Sequence, residues 1–237
     1  MKITSRQSQN LTLRILRQRG KVLLHCSGCW LLLVSFLLAL SAAPTSEAAT
    51  GGKRGVSTMT VNLYVGGGTG RVLALNPADP GYITNLIATV TGIYYEIVAS
   101  QPQVRLEGVA DAIAARRPDL VSVEEASLIR TESPGDLIFG GTNLATHVVF
   151  DYLQMLVDAL AARGAHYAVA SAEEELDVEL PMLNLQTGTI DDARLTDRDA
   201  ILIRTDLPPG HLRVSNPRHG HFSNVIQIPT LGLSVER

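Results

Sequence analysis

The densest chemistry in this sequence lies in Asp119–Thr131, DLVSVEEASLIRT. A short run of Leu120, Val121 and Val123 ends abruptly in two adjacent carboxylates, Glu124 and Glu125. A carboxylate placed where a buried strand stops can hold a hard cation or exchange a proton with a bound ligand. Three further groups bear on it. Asn62 sits in Thr58–Val65 (TMTVNLYV), Asp197 and Asp199 flank Arg198 in TDRDA, and Gly66–Gly70 forms a glycine-rich turn. Such a turn can cradle phosphate through backbone amides. Here no Gly-Lys-Ser/Thr follows and the Gly-x-Gly-x-x-Gly spacing is absent, so a plain flexible turn is the expectation.

The histidines offer less. His219-Gly220-His221 lies near Arg213 and Arg218 and has the residue types for metal or phosphate. Two histidines around a glycine in a polar loop are nevertheless expected to face solvent. His147 opens a helical stretch and His166 a strand, so structural roles are expected for both; His211 follows the turn Pro208–Gly210. Asp197 and Asp199 are candidates to support a metal from behind its direct ligand, although a turn or capping role is the stronger expectation for both. Glu124 alternates with Glu125 along a strand and should point to the opposite face, as a surface group.

These residues need elements to position them. Residues 58–65 alternate strictly, with Met59, Val61, Leu63 and Val65 on one face, which predicts a strand. Residues 82–99 carry Ile83, Leu86, Ile87, Val90, Ile93, Tyr94 and Ile97 at helical spacing. A second helix is predicted over 103–117 and ends at Pro118. Residues 119–125 then form a buried strand. Strand, helices and strand make a βαβ unit with parallel strands and a right-handed crossover. That topology brings Asn62 beside Glu125, at the carboxyl ends of strands where α/β folds place ligands. Downstream, 132–146 reads as a loop, 148–163 as a helix stopped by Gly164, and 166–170, 200–204 and 222–228 as strands. The acidic run Glu173-Glu174-Glu175 with Asp177 reads as a solvated loop. No repeat or linker divides the chain, so one α/β domain is expected.

Residues 1–49 stand apart. Six basic residues and no acid occupy 1–21, the apolar block WLLLVSFLLAL follows at 30–40, and small residues come next. That order is a secretory signal peptide, with residues 22–43 long enough to serve as an anchor if uncleaved. A membrane is expected as a partner only in that case; otherwise the protein is secreted or periplasmic. Cys26 and Cys29 both fall in this leader, so the remaining domain has no cysteine and no disulfide. Removing residues 1–43 leaves 14 basic against 23 acidic residues, moving the net charge from −3 to −9. Such a domain is not built to hold nucleic acid by bulk electrostatics. A hydrophobic content of 46% with 18% charged residues excludes a disordered chain.

Taken together, TMTVNLYVG, DLVSVEE about sixty residues on, and DRDAILIR resemble the amino-terminal half of the endonuclease/exonuclease/phosphatase superfamily, the deoxyribonuclease-I-like phosphoesterases. The resemblance runs from about Ser57 to Arg237. It implies a four-layer α/β/β/α sandwich, of which this chain would supply the first sheet and its flanking helices. It also implies that Glu125 stands at the family's metal-binding Glu and Asn62 at its first-strand Asn, with Glu124 in place of a Gln. The cofactor so implied is Mg²⁺, with Mn²⁺ or Ca²⁺ as alternatives, and the substrate is a phosphate ester. The family's Asn-Thr-His-Leu, Gly-Asp-Phe-Asn and Asp-His segments do not occur here. Residues 50–237 are therefore expected to be a truncated domain, lacking its second half. Two readings follow: an exported metal-dependent phosphodiesterase-type hydrolase, or a non-catalytic exported α/β protein that is decayed or dependent on a partner.

Overall fold

A computed structural model describes residues 55–218 and 220, together with the backbone of 225–228 and 233–236. Residues 1–54, His219 and His221 lie outside the described residues. The fold is α/β, with a mixed sheet of six strands flanked by helices.

The predicted βαβ unit is present. β1 (Thr58–Asn62) pairs in parallel with β2 (Leu120–Glu124), in a register that sets Asn62 opposite Glu124. Between them run a short α1 (Gly70–Leu73), α2 (Tyr82–Ala99) and α3 (Pro102–Arg116). Pro102 suits the first turn of α3, where its missing N–H is not needed. Arg117 takes a left-handed conformation (φ 45°) before Pro118 and turns the chain into β2.

Three sequence expectations are corrected. The stretch expected to be helical from 148 splits into β4 (His147–Asp151) and α4 (Tyr152–Ala162), so His147 lies in a strand. Asp151 makes the division, because its carboxylate accepts the Gln154 amide at 3.2 Å and caps the helix. The acidic run is no loop: it lies inside β5 (Tyr167–Leu183), a 17-residue strand paired along its length with β6 (Ile190–Arg204). Asp177 forms ion pairs with Arg194 of β6 and with Arg130 of the neighbouring strand 128–132. The strand expected over 200–204 starts at Ile190 as β6, so Asp197 and Asp199 lie inside a strand and not at a turn or cap; β3 (Leu128–Glu132) fills the stretch between β2 and the expected loop. A second, two-stranded sheet joins β7 (Val225–Ile228) to β8 (Leu233–Glu236).

β6 organises the main sheet. Its carboxyl half pairs with β2, its amino half with β3, and its whole length with β5. Alternation then divides its side chains between two cores. Ala200 and Leu202 pack beneath α3 and α4 with Leu106, Ile113, Val121, Val123, Leu156 and Leu160. Ala193 and Leu195 face the other way, toward α2, with Leu86, Val90, Ile93, Ile97, Ile129 and Met182. Leu156 is completely buried, whereas Val104 of α3 is 64% exposed. Leu156→Ala should therefore cost about 2–5 kcal/mol in urea unfolding with an unchanged m-value. Val104→Ala should stay within about 0.5 kcal/mol.

Candidate active site at the carboxyl ends of the parallel pair

β2 stops at Glu124 because Glu125 adopts a left-handed conformation, φ 53°. For a side chain other than Gly, Asn or Asp this is an uncommon and costly state. The turn changes where the carboxylate goes. Strict alternation would send Glu125 to the face opposite Asn62; instead Asn62 Nδ2 donates to its Oε1 at 2.9 Å. The Val65 backbone N–H donates to its Oε2 at 2.7 Å. Asn62 is fixed in turn, since its Oδ1 accepts the Tyr64 N–H at 2.7 Å. The expectation that β1 brings Asn62 to Glu125 is thus met at hydrogen-bond distance.

What holds residues 63–65 in place was not legible beforehand. Arg105 of α3 donates from Nη1 to the Leu63 carbonyl at 2.6 Å and from Nε to the Ser100 carbonyl at 3.2 Å. Its guanidinium lies 5.3 Å from the Tyr64 ring centre and 5.6 Å from that of Tyr152. The buried Tyr152 hydroxyl donates to the Val65 carbonyl at 2.7 Å and accepts from Arg105 Nη2 at 3.3 Å. Burial pushes the Tyr152 phenol above its ordinary range, against the Arg105 charge, so it stays a donor at neutral pH. Arg105 carries no motif, and Tyr152 was hidden at the first turn of a helix whose start was misplaced.

The other side of Glu125 is equally fixed. Ser127 donates its backbone N–H to the Glu125 carbonyl at 2.7 Å, and Arg198 Nε donates to the Ala126 carbonyl at 2.9 Å. Arg198 also forms an ion pair with Asp151 at 2.6 Å. The Ser127 hydroxyl donates to Asp197 Oδ1 at 3.1 Å. Asp197 is half-buried behind the Glu125 turn, and burial raises its carboxyl above the usual range. The Ser127 hydrogen bond opposes that rise, while the negative charges of Glu125 and Asp199 add to it.

Glu124 and Asp199 are exposed, and neither side chain makes a hydrogen bond or ion pair among the described residues. His211 is drawn elsewhere: its Nε2 lies 3.4 Å from Asp119 at the far end of β2. His147 and His166 are exposed on the strand β4 and beside β5. The glycine-rich turn has a packing reason for its composition. Gly66 has φ +101°, and a Cβ there would meet Ser100 Oγ at 2.5 Å. A Cβ on Gly67 would meet the Ile93 carbonyl at 2.9 Å.

The carboxylates around the site differ in their partners. Asp119, Asp151 and Asp177 each have an Arg or His within ion-pair distance. Among the described residues Glu125 and Asp197 have none, although they lie close enough to repel. No three His, Cys, Asp or Glu side chains among the described residues converge as a metal-holding group. Mg²⁺ does not require that, since it binds through one or two carboxylates and keeps several waters. Each Glu125 oxygen accepts one N–H and retains a lone pair, so the donor set fits a hydrated cation.

No family model, curated protein or solved structure matches this chain. The geometry therefore stands on its own residues.

Two substitutions measure the support of the site. Tyr152→Phe leaves the Val65 carbonyl without its buried donor and should cost about 1–3 kcal/mol in chemical denaturation. Gly66→Ala should cost more than about 1 kcal/mol, because alanine resists positive φ and its Cβ has no room.

Proposed function

We propose that this chain is an exported, metal-dependent phosphoesterase of the phosphodiesterase or nuclease type, related to the endonuclease/exonuclease/phosphatase superfamily. One observation carries the reading: Glu125 is held by Asn62 and the Val65 amide at the carboxyl ends of β1 and β2, with no cation paired to it. That is the Asn and Glu pair expected from TMTVNLYVG and DLVSVEE, brought together across 63 residues of sequence. The basic, apolar and small-residue order of residues 1–49 supports export.

In this reading Glu125 holds Mg²⁺, and Asn62 fixes the rotamer of Glu125. Asp197 adds negative potential from behind, through Ser127. The bound cation would polarise a phosphoryl oxygen and stabilise the leaving oxygen. Glu124 and Asp199, exposed at the rim, are placed to meet solvent-borne groups and not the cation directly. The acidic balance of residues 50–237 favours small or uncharged-tailed phosphate esters over long nucleic acid.

The test is hydrolysis of bis-p-nitrophenyl phosphate by the purified protein with Mg²⁺ or EDTA. Turnover should need the metal and fall to background in Glu125→Gln. Asn62→Ala should lower it about 10–100-fold, as expected when a group orienting a metal ligand is lost. A folded protein that binds no Mg²⁺ and turns over nothing would overturn the reading in favour of a non-catalytic α/β protein.

A further inference from the structure

A partly enclosed cavity of about 200 Å³ lies between α2, the start of α1 and the sheet. Its wall is almost wholly aliphatic, with Val90, Ile93 and Ile97 of α2 facing Leu176, Val178 and Leu195 of the sheet. The exceptions are Thr69, Tyr94 and Arg194, and the guanidinium of Arg194 is already bonded to Asp177. Unfilled apolar space of this size weakens a core. Dry aliphatic cavities of about 150 Å³ take up a ligand as large as benzene.

The position of the cavity decides what it could hold. Leu195 lines it, and Asp197 lies two residues further along the same strand, on the same sheet face and about 7 Å away. Leu176, another wall residue, is directly opposite Asp197 in the β5–β6 register. Asn62 belongs to this face as well, since Thr58 and Thr60 of β1 align through Leu120 and Ser122 with Ile203 and Ile201. The loop that presents the Val65 amide to Glu125 continues to Thr69 and Gly70 in the cavity wall. An apolar pocket and a carboxylate site therefore share one face, one strand and one loop.

Building on the phosphoesterase reading, we propose that this cavity binds the aliphatic chain of an amphiphilic phosphodiester whose phosphate sits at Glu125. The substrate class is thereby a short-chain or partly extracted glycerophospholipid, and not a polynucleotide.

The experiment is calorimetric titration of the purified protein, with Mg²⁺ present, using glycerophosphocholine and its dibutanoyl and dihexanoyl esters below their micelle concentrations. Affinity should rise about fourfold for each methylene buried, then level off as the cavity fills. Ala193→Leu and Val178→Phe, which fill the cavity, should remove that gain. Equal affinity across the series would overturn the inference, and so would a gain that persists in both filled variants at wild-type melting temperature. A flat series from a protein that sediments as a dimer would give the cavity to a second copy, with the same consequence. Glycerophosphocholine binding that is lost in Glu125→Gln but shows no chain-length gain would sink the cavity assignment alone. Failure to bind any of the three ligands would remove the phosphoesterase reading with it. If neither filled variant folds, the chain-length series on the unmodified protein decides the matter.

Discussion

The Glu125 carboxylate accepting two N–H donors, one from the Asn62 side chain and one from the Val65 backbone, is the interaction around which this end of the molecule is built. It requires β1 and β2 to be parallel and in register, the chain to turn left-handed at Glu125, and residues 63–65 to stay rigid beyond the end of β1. The last two requirements are supported by groups from three other elements. α3 contributes Arg105, α4 contributes Tyr152, and β6 contributes Arg198 against the Ala126 carbonyl. The strain at Glu125 persists because these partners over-determine the backbone on both sides of it.

The role of Arg105 is instructive in what it avoids. Its N–H groups donate to the Leu63 and Ser100 carbonyls and to the hydroxyls of Ser100 and Tyr152, and none to a carboxylate among the described residues. An arginine this near could have neutralised Glu125 in a salt bridge. Instead it organises neutral acceptors, and the Glu125 carboxylate is met by two uncharged N–H donors. Elsewhere in the sheet the opposite choice is made, with Asp177 paired to Arg194 and Asp151 to Arg198. At this site the contrast is between carboxylates that arginines tie into the sheet and the neighbouring Glu125 and Asp197, which meet no Arg, Lys or His within ion-pair distance among the described residues.

Much of this arrangement was readable from the chain. Strict alternation in TMTVNLYV, the helical spacing of Leu86, Val90, Ile93 and Ile97, and Pro118 before DLVSV bring the carboxyl ends of β1 and β2 together as a βαβ unit, while the left-handed turn that aims Glu125 at Asn62 leaves no mark in the sequence. The failures share one cause, tertiary context outweighing local composition. Glu173 to Asp177 look like solvated loop, and Glu174, Glu175 and Asp177 do stay exposed, but β6 offers a pairing edge along the whole segment and two arginines meet Asp177. His147 to Phe150 have helical neighbours and still form a strand, because β3 offers an edge and Asp151 caps the helix just after it. Arg105 and Tyr152 act through carbonyl oxygens of distant residues, and a backbone acceptor leaves no trace in a sequence.

The two faces of β6 explain why a site and a cavity come to be neighbours. One face is consumed by α3 and α4, whose buried side chains close tightly on Ala200 and Leu202. The opposite face is shared between α2 and open solvent, because α2 covers Leu195 and Ala193 but not the row of Asp197, Asp199 and Ile201. Where coverage ends, an aliphatic wall gives way to carboxylates within two residues of one strand. A long hairpin of β5 and β6 makes that junction rigid, since both walls belong to the same hydrogen-bonded ladder. A ligand with one apolar and one anionic end would therefore meet its two environments at a spacing set by the pleat of β6, without any loop having to move.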